Sequence, residues 1–244
     1  MKKLLKKAGK AILLFLLIVV VVNVLLPLFC KKPDKEYAEN LRKTEFTAET
    51  TGIEKICCID DNEEALLWRL RMIGTARESI VLSTFDLRAD ENGTKLLAAL
   101  NCAASRGVKI QLLIDGIYQQ LFLAGSSDFQ ALSSYDNVKV GVYNPVIPAN
   151  LFKVNYRMHD KYLIVDEKMY LLGGRNSNDI FLGDQTKGIN VDRDILVYDT
   201  SGGQGESLQQ IEDYFHKIWK KIFQRCRCLQ AHGRNLCSSA EEVQ

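Results

Sequence analysis

Histidine is scarce in this chain, with three in 244 residues, and so is proline, with four. So little proline excludes collagen-like and low-complexity architectures, and 47% hydrophobic with 25% charged residues suffices for one sizeable core. One domain with appendages is the expectation. Acidic residues are missing ahead of Asp34, whereas eight lysines fall within residues 1–35. The formal charge of +2 therefore belongs to the N-terminal tail, and the body, net acidic, argues against nucleic acid as its partner. Seven cysteines (Cys30, Cys57, Cys58, Cys102, Cys226, Cys228, Cys237) lack the regular spacing of a small disulfide scaffold and assign no compartment. Cys226, Cys228, His232 and Cys237 can be drawn as a metal knuckle, but the spacing is tight and the context a polar tail. They read as unpaired thiols, and no metal or other cofactor is expected. Internal repeats are also missing.

One apolar run stands out. From Ala11 to Phe29 the chain reads AILLFLLIVVVVNVLLPLF, broken only by Asn23 and Pro27. That is close to the roughly 20 residues needed to cross a hydrocarbon core as a helix. Five lysines precede it (Lys2, Lys3, Lys6, Lys7, Lys10), whereas Lys31, Lys32 and Lys35 after it are mixed with Asp34 and Glu36. The positive-inside rule then keeps residues 1–10 in the cytoplasm and carries the body across a cell membrane on a single pass. A cleaved signal peptide competes, but no small-x-small site follows the run, and Phe29 before Cys30 fits a lipoprotein site poorly. The expected order is a basic tail (1–10), a transmembrane anchor (11–29), a polar stalk (30–55), a domain (56–223) and a polar tail (224–244).

Within the domain, Leu66, Leu67, Leu70 and Ile73 fall at helical spacing behind Asp60-Asp61-Asn62, a helix-start signal. SIVLSTFDL (79–87) reads as a buried strand, Gly93–Ser105 as a helix stopped by Arg106-Gly107, and VKIQLLID (108–115) as the next strand. This succession implies parallel strands joined by a right-handed crossover. KVGVYN (139–144), KYLIVDE (161–167), MYLLGG (169–174) and RDILVYD (193–199) supply further strands, with a hairpin around Glu167-Lys168, and a helix from about Ser207 to Phe223 closes the domain. The predicted class is α/β: a mixed β-sheet flanked by helices, preceded by the transmembrane helix.

The chemistry concentrates between Tyr156 and Asn176. His159 and Lys161, two apart at a strand entrance, share a face. An imidazole can attack phosphorus while a neighbouring ammonium neutralises phosphate oxygens. Gly173-Gly174 permits close backbone approach to an anion, with Asn176 as a donor. Taken singly, a histidine beside a strand is more often an ordinary surface or core residue, and Gly-Gly more often a turn.

Together, His159-x-Lys161-x4-Asp166 followed by Gly173-Gly174-x-Asn176 resembles the His-x-Lys-x4-Asp signature of the phospholipase D superfamily. The likeness extends through FDLRADENG, ASRGVKIQLLID, GGRNSND, RDILVYD and FHKIW, covering most of residues 60–220. The GGRN form with Asp192 and Asp194 is similar to the bacterial cardiolipin synthase-like branch. The resemblance implies a phospholipase D-like fold and a two-step, metal-independent exchange at a phosphodiester, through a phosphohistidine. It makes His159 the nucleophile or its mirror-related acid, with Lys161 and Asn176 on the phosphate. Asp166, five residues from Lys161, faces away in a regular strand and is assigned a supporting role. Asp160, Arg157 and Arg175 are expected at the rim.

Enzymes of this superfamily generally pair two such half-sites, and here there is one: His216 and His232 belong to no second signature. The missing acid then comes from a homodimer partner or a second half-site in another chain, unless the chain is a truncated or non-catalytic half. The expected substrate is a phospholipid at the membrane; the rival is a single-site dimeric nuclease.

Overall fold

The structure, a computed structural model, describes residues 2–29, 34–43, 52–184 and 190–230. It divides into two compact units. The first holds helix α1 (Lys2–Leu25), a 3₁₀ turn (Leu26–Phe29), helix α2 (Lys35–Lys43) and the segment Val146–Arg157 with its 3₁₀ turn Pro148–Lys153. α2 falls inside the expected stalk, most of whose other residues lie outside the described ones. α1 and its 3₁₀ turn, with mean hydropathy 3.2 in the most apolar stretch, are long and apolar enough to cross a membrane.

Asn23, the one polar side chain in that run, is not idle. Its Nδ2 donates to the carbonyls of Val19 and Leu151, each at 2.8 Å. Pro27 has no N–H to give to the Asn23 carbonyl four residues back, and Asn155 Nδ2 donates there instead. Phe152 meets Phe15 edge-on, with centroids 6.3 Å apart.

In the second unit, alternation along one strand sorts the core. Tyr162 and Ile164 face one side of the sheet, Leu163 and Val165 the other. The sheet has seven strands: β1 (Glu54–Ile59), β2 (Ser79–Thr84), β3 (Lys109–Asp115), β4 (Val138–Tyr143), β5 (Lys161–Val165), β6 (Met169–Gly173) and β7 (Asp194–Asp199). Their order is β1-β7-β6-β5-β2-β3-β4. β2-β3 and β3-β4 pair in parallel, and the other neighbours run antiparallel, so the sheet is mixed as expected.

Leu163 and Val165 join a cluster built with α3 (Asn62–Thr75), α4 (Glu91–Ser105) and α6 (Ser127–Ser133). Tyr162 and Ile164 join Phe215 and Leu208 of α8 (Glu206–Gln230). The short helices α5 (Gly116–Tyr118) and α7 (Asp179–Leu182) complete the set. The start signal works through Asp61, whose carboxylate accepts from the Glu64 amide at 2.8 Å, and Asp90 caps α4 through Gly93 at 3.0 Å. Cys30, His232 and Cys237 of the cysteine-rich regions, and the side chains of Cys226 and Cys228, lie outside the described residues.

Candidate functional site at one end of the sheet

Register decides which residues meet. Thr84 ends β2 opposite Lys161, which opens β5, and Gly173 ends β6 opposite Asp194, which opens β7. The loops after β2 and β6 therefore emerge beside the entrance to β5. They are laced together: the Ser177 amide donates to Asp86 O at 2.9 Å, the Arg88 amide to Ser177 O at 3.3 Å, and the Thr84 and Ser177 hydroxyls lie 3.3 Å apart.

His159 is exposed, and Lys161 is 7% exposed. Lys161 Nζ lies 3.1 Å from both Nδ1 and Nε2 of His159 and donates to the His159 carbonyl at 3.0 Å. Ring lone pairs diverge in the imidazole plane, so one ammonium equidistant from both nitrogens stands over the ring face rather than in two lone pairs. The in-plane nitrogens are left to act on something else. Phe85 packs edge-on against the same imidazole at 4.6 Å and lies 5.4 Å beneath the ammonium. Burial pushes the Lys161 amine below its usual value, against the opposing pull of Asp160, Asp192 and Asp86. A phosphate anion arriving beside it would reverse that shift.

Asn176 is 7% exposed, and its Oδ1 is a buried acceptor without a hydrogen-bond partner. A buried amide with an unmatched oxygen, one residue before the Ser177 that meets Thr84 opposite Lys161, fits a ligand's place; a half-turn of the amide presents N–H₂ to an anion. Asp166 does not join this group. It sits at the far end of β5, roughly 17 Å along the strand from Lys161. There its carboxylate accepts from the amides of Arg77, Glu78 and Ser79, at 2.9, 2.8 and 2.9 Å. What stands against Gly173 and Gly174 is this chain's own acid groups: a Cβ on Gly173 would strike the Asp194 carboxylate and the Arg193 carbonyl, and one on Gly174 the Asp192 carboxylate.

Arg175 departs most from expectation. Rather than lining a rim it is 1% exposed, donating to Asn62 Oδ1 at 2.9 Å and to the carbonyls of Ile59 and Asp60, and pairing with Asp194 at 3.4 Å. Arg69 contacts the same Asp194 oxygen at 2.9 Å. Two arginines on one buried carboxylate form a structural clasp. Arg157 belongs to the unit of α1. Asp160 lies between His159 and Lys161 in sequence, accepts from the Tyr214 hydroxyl of α8 at 3.1 Å, and is raised above its usual value chiefly by burial.

Sequence reasoning missed Phe85 and Asp115. Asp115, fully buried at the end of β3, accepts from the Met158 amide at 3.3 Å and so fixes the residue before His159. Only the alternating FDL at the end of a buried strand hinted at Phe85; nothing in the sequence ties Asp115 to residue 158.

Among the described residues, no group of three or more His, Cys, Asp or Glu side chains is arranged to hold a metal ion. Cardiolipin synthase C of Escherichia coli K12 is 26% identical over 66% of this chain and 34% of its own length. Cardiolipin synthase B of the same strain is 33% identical over 50% of this chain and 29% of its own. The chain thus spans about a third of the curated relatives it matches. Among solved structures, NucT from Helicobacter pylori aligns with a TM-score of 0.53 at 22% identity, over 68% of this chain and 96% of that one. This likeness shows the shared fold. Residues 70–219 match the family model described as cardiolipin synthase, PLD-like domain, and the chain belongs to that phospholipase D-like family.

Proposed function

We propose that the chain is a half-site enzyme for phosphodiester exchange on a phospholipid, of phosphatidyl-transfer or hydrolytic type, held at a membrane by α1 with the body on the extracytoplasmic side. The observation that carries this reading is the exposed imidazole seated against a nearly buried ammonium at one sheet end. In the first step a ring nitrogen of His159 bonds to phosphorus, and the P–O bond to the leaving alcohol breaks. The alcohol takes its proton from a second histidine. In the second, water or another alcohol attacks phosphorus, gives its proton to that second histidine, and the P–N bond breaks.

Lys161 neutralises the non-bridging oxygens, and the Asn176 amide hydrogen-bonds the same group. Asp166 supports the strand rather than touching phosphate, and Arg175 has no substrate role. The second histidine is His159 of another copy, brought across a two-fold axis. The family description supports the lipid substrate. So does the apolar helix.

The test is to incubate the full chain in detergent micelles with headgroup-labelled phosphatidylglycerol and, separately, with single-stranded DNA. Label release from the lipid, a trapped phosphohistidine at residue 159, and loss of both in His159→Asn are expected. Cleavage of DNA alone would replace lipid with nucleic acid as the substrate.

A further inference from the structure

Beyond the His-Lys pair, a row of rings leads away from the site. Phe85, against the His159 ring, lies 4.4 Å from Tyr118. Tyr118 lies 5.9 Å from Phe122. Tyr118 ends α5, and Phe122 belongs to a π-helical turn, Gln119–Leu123, closed by the Ala124 amide on the Gln119 carbonyl at 3.0 Å. π turns are rare and concentrate at functional sites. This one buries Leu123 in the core yet leaves Leu121 69% and Phe122 39% exposed, so large apolar side chains stand in solvent at the end of a row that begins at the imidazole.

We propose that Phe85, Tyr118, Phe122 and Leu121 form the wall on which the acyl-bearing side of a phospholipid lies while its phosphodiester faces His159. The proposal rests on the phospholipid reading above and names which part of the molecule recognises the lipid's apolar portion. A nucleobase fits the wall less well. Phe85 and Tyr118 are tilted by 59°, and Tyr118 and Phe122, closer to parallel at 29°, stand only 5.9 Å apart between centroids, so neither pair leaves a slot for a base between its rings. Arg88 covers Phe122 at 4.5 Å. Arg88 is also held in a fork by Asp86, with contacts of 2.9, 3.1 and 2.7 Å, and so is engaged rather than free for a neighbouring phosphate. An acyl chain asks for neither a bare ring face nor a cation, only for apolar area to cover.

The experiment uses the full chain in detergent micelles with phosphatidylglycerol carrying a diazirine on one acyl chain. Turnover of phosphatidylglycerol is compared with that of its deacylated diester. Photolabel is expected on residues 118–122. Leu121→Ser and Phe122→Ser should lower that label and cut the preference for the diacyl over the deacylated substrate about tenfold each. Leu121→Ser alters an exposed position and keeps the test readable if Phe122→Ser unfolds. Wild-type chain that turns over phosphatidylglycerol but is labelled elsewhere, or whose preference survives both changes, overturns the wall and leaves the lipid reading standing. Turnover of single-stranded DNA without phosphatidylglycerol removes both.

Discussion

Lys161 and Asp166 belong to one signature, yet the physics of the two side chains differs. Lys161 is a nearly buried amine whose burial lowers its proton affinity, and Asp166 is a carboxylate spent on three backbone amides at the other end of the strand. Lys161→Ala should therefore cost about a hundredfold in turnover with no loss of stability, since it removes a desolvated charge. Asp166→Ala should lower stability by only about 1 kcal/mol, because water competes for the Arg77 and Glu78 amides, while turnover per folded molecule changes only severalfold. Urea melts and kcat on the same preparations check both. Burial alone would raise the Asp166 carboxyl, but the amides of Ser79, Glu78 and Arg77 outweigh it and hold it below 3.8. Its stabilisation is then complete above 3.8 and drains away as pH falls through the lower folded value, a limb that Asp166→Ala should erase. What separates Asp166 from Lys161 is the length of β5, since Asp166 lies past the strand's end at φ 53°. The sequence put Asp166 away from the phosphate through an odd five-residue step, an alternation that stops at Val165. It could not show the three amides, which come from a turn nearly ninety positions earlier.

Between elements, the buried clasp of Arg69 from α3, Arg175 after β6 and Asp194 of β7 does what no single strand pairing does, tying a helix to two strands beside the site. Asp194→Ala leaves two buried guanidinium groups facing each other and should cost about 3–5 kcal/mol, read from denaturant midpoints. The β5–β6 hairpin offers the opposite sign. Asp166 and Glu167 both adopt positive φ, 53° and 51°, at the centre of a mirror-type turn that the Lys168 amide closes on the Val165 carbonyl at 3.1 Å, and glutamate is a poor residue for it. Glu167 also helps raise Glu212 of α8 to about 7, after burial as the larger cause. A carboxyl raised from 4.5 to about 7 stabilises the fold fully below 4.5 and loses that contribution as pH climbs through 7. Glu167→Gly should thus raise stability by roughly 1 kcal/mol and bring the Glu212 titration, followed by NMR, back toward 4.5. Strands β2 to β7 and the long helices were readable because apolar residues recur at the period of each. β1 was not: four of its six residues are exposed, its pattern is that of an edge strand, and its pairing with β7 spans some 140 positions. Arg175 was misplaced for a related reason, since only the fold brings Ile59, Asp60 and Asn62 around it.

For the whole molecule, the arithmetic of half-sites gives a test that needs no structure of a complex. One His-x-Lys signature is present, and the relatives, matched over 171 residues (34% of one) and 131 residues (29% of the other), are about twice as long as this chain. If the second histidine is His159 of another copy, a productive site needs two intact chains, because the nucleophile and the acid are the same residue in different subunits. Wild-type chains mixed and reassembled with His159→Asn chains then meet an intact partner only in proportion to their own fraction. Total activity falls with the square of that fraction, so an equal mixture retains about a quarter of the wild-type rate. A self-sufficient half-site would retain about half, as would a site completed by some other protein supplied in excess. The mixing must precede assembly, since preformed dimers that do not exchange would also give half; unfolding and refolding the mixture in detergent removes that ambiguity. A linear dependence after such mixing would show that the partner histidine is not His159, and would move the search for the leaving group's proton to another chain.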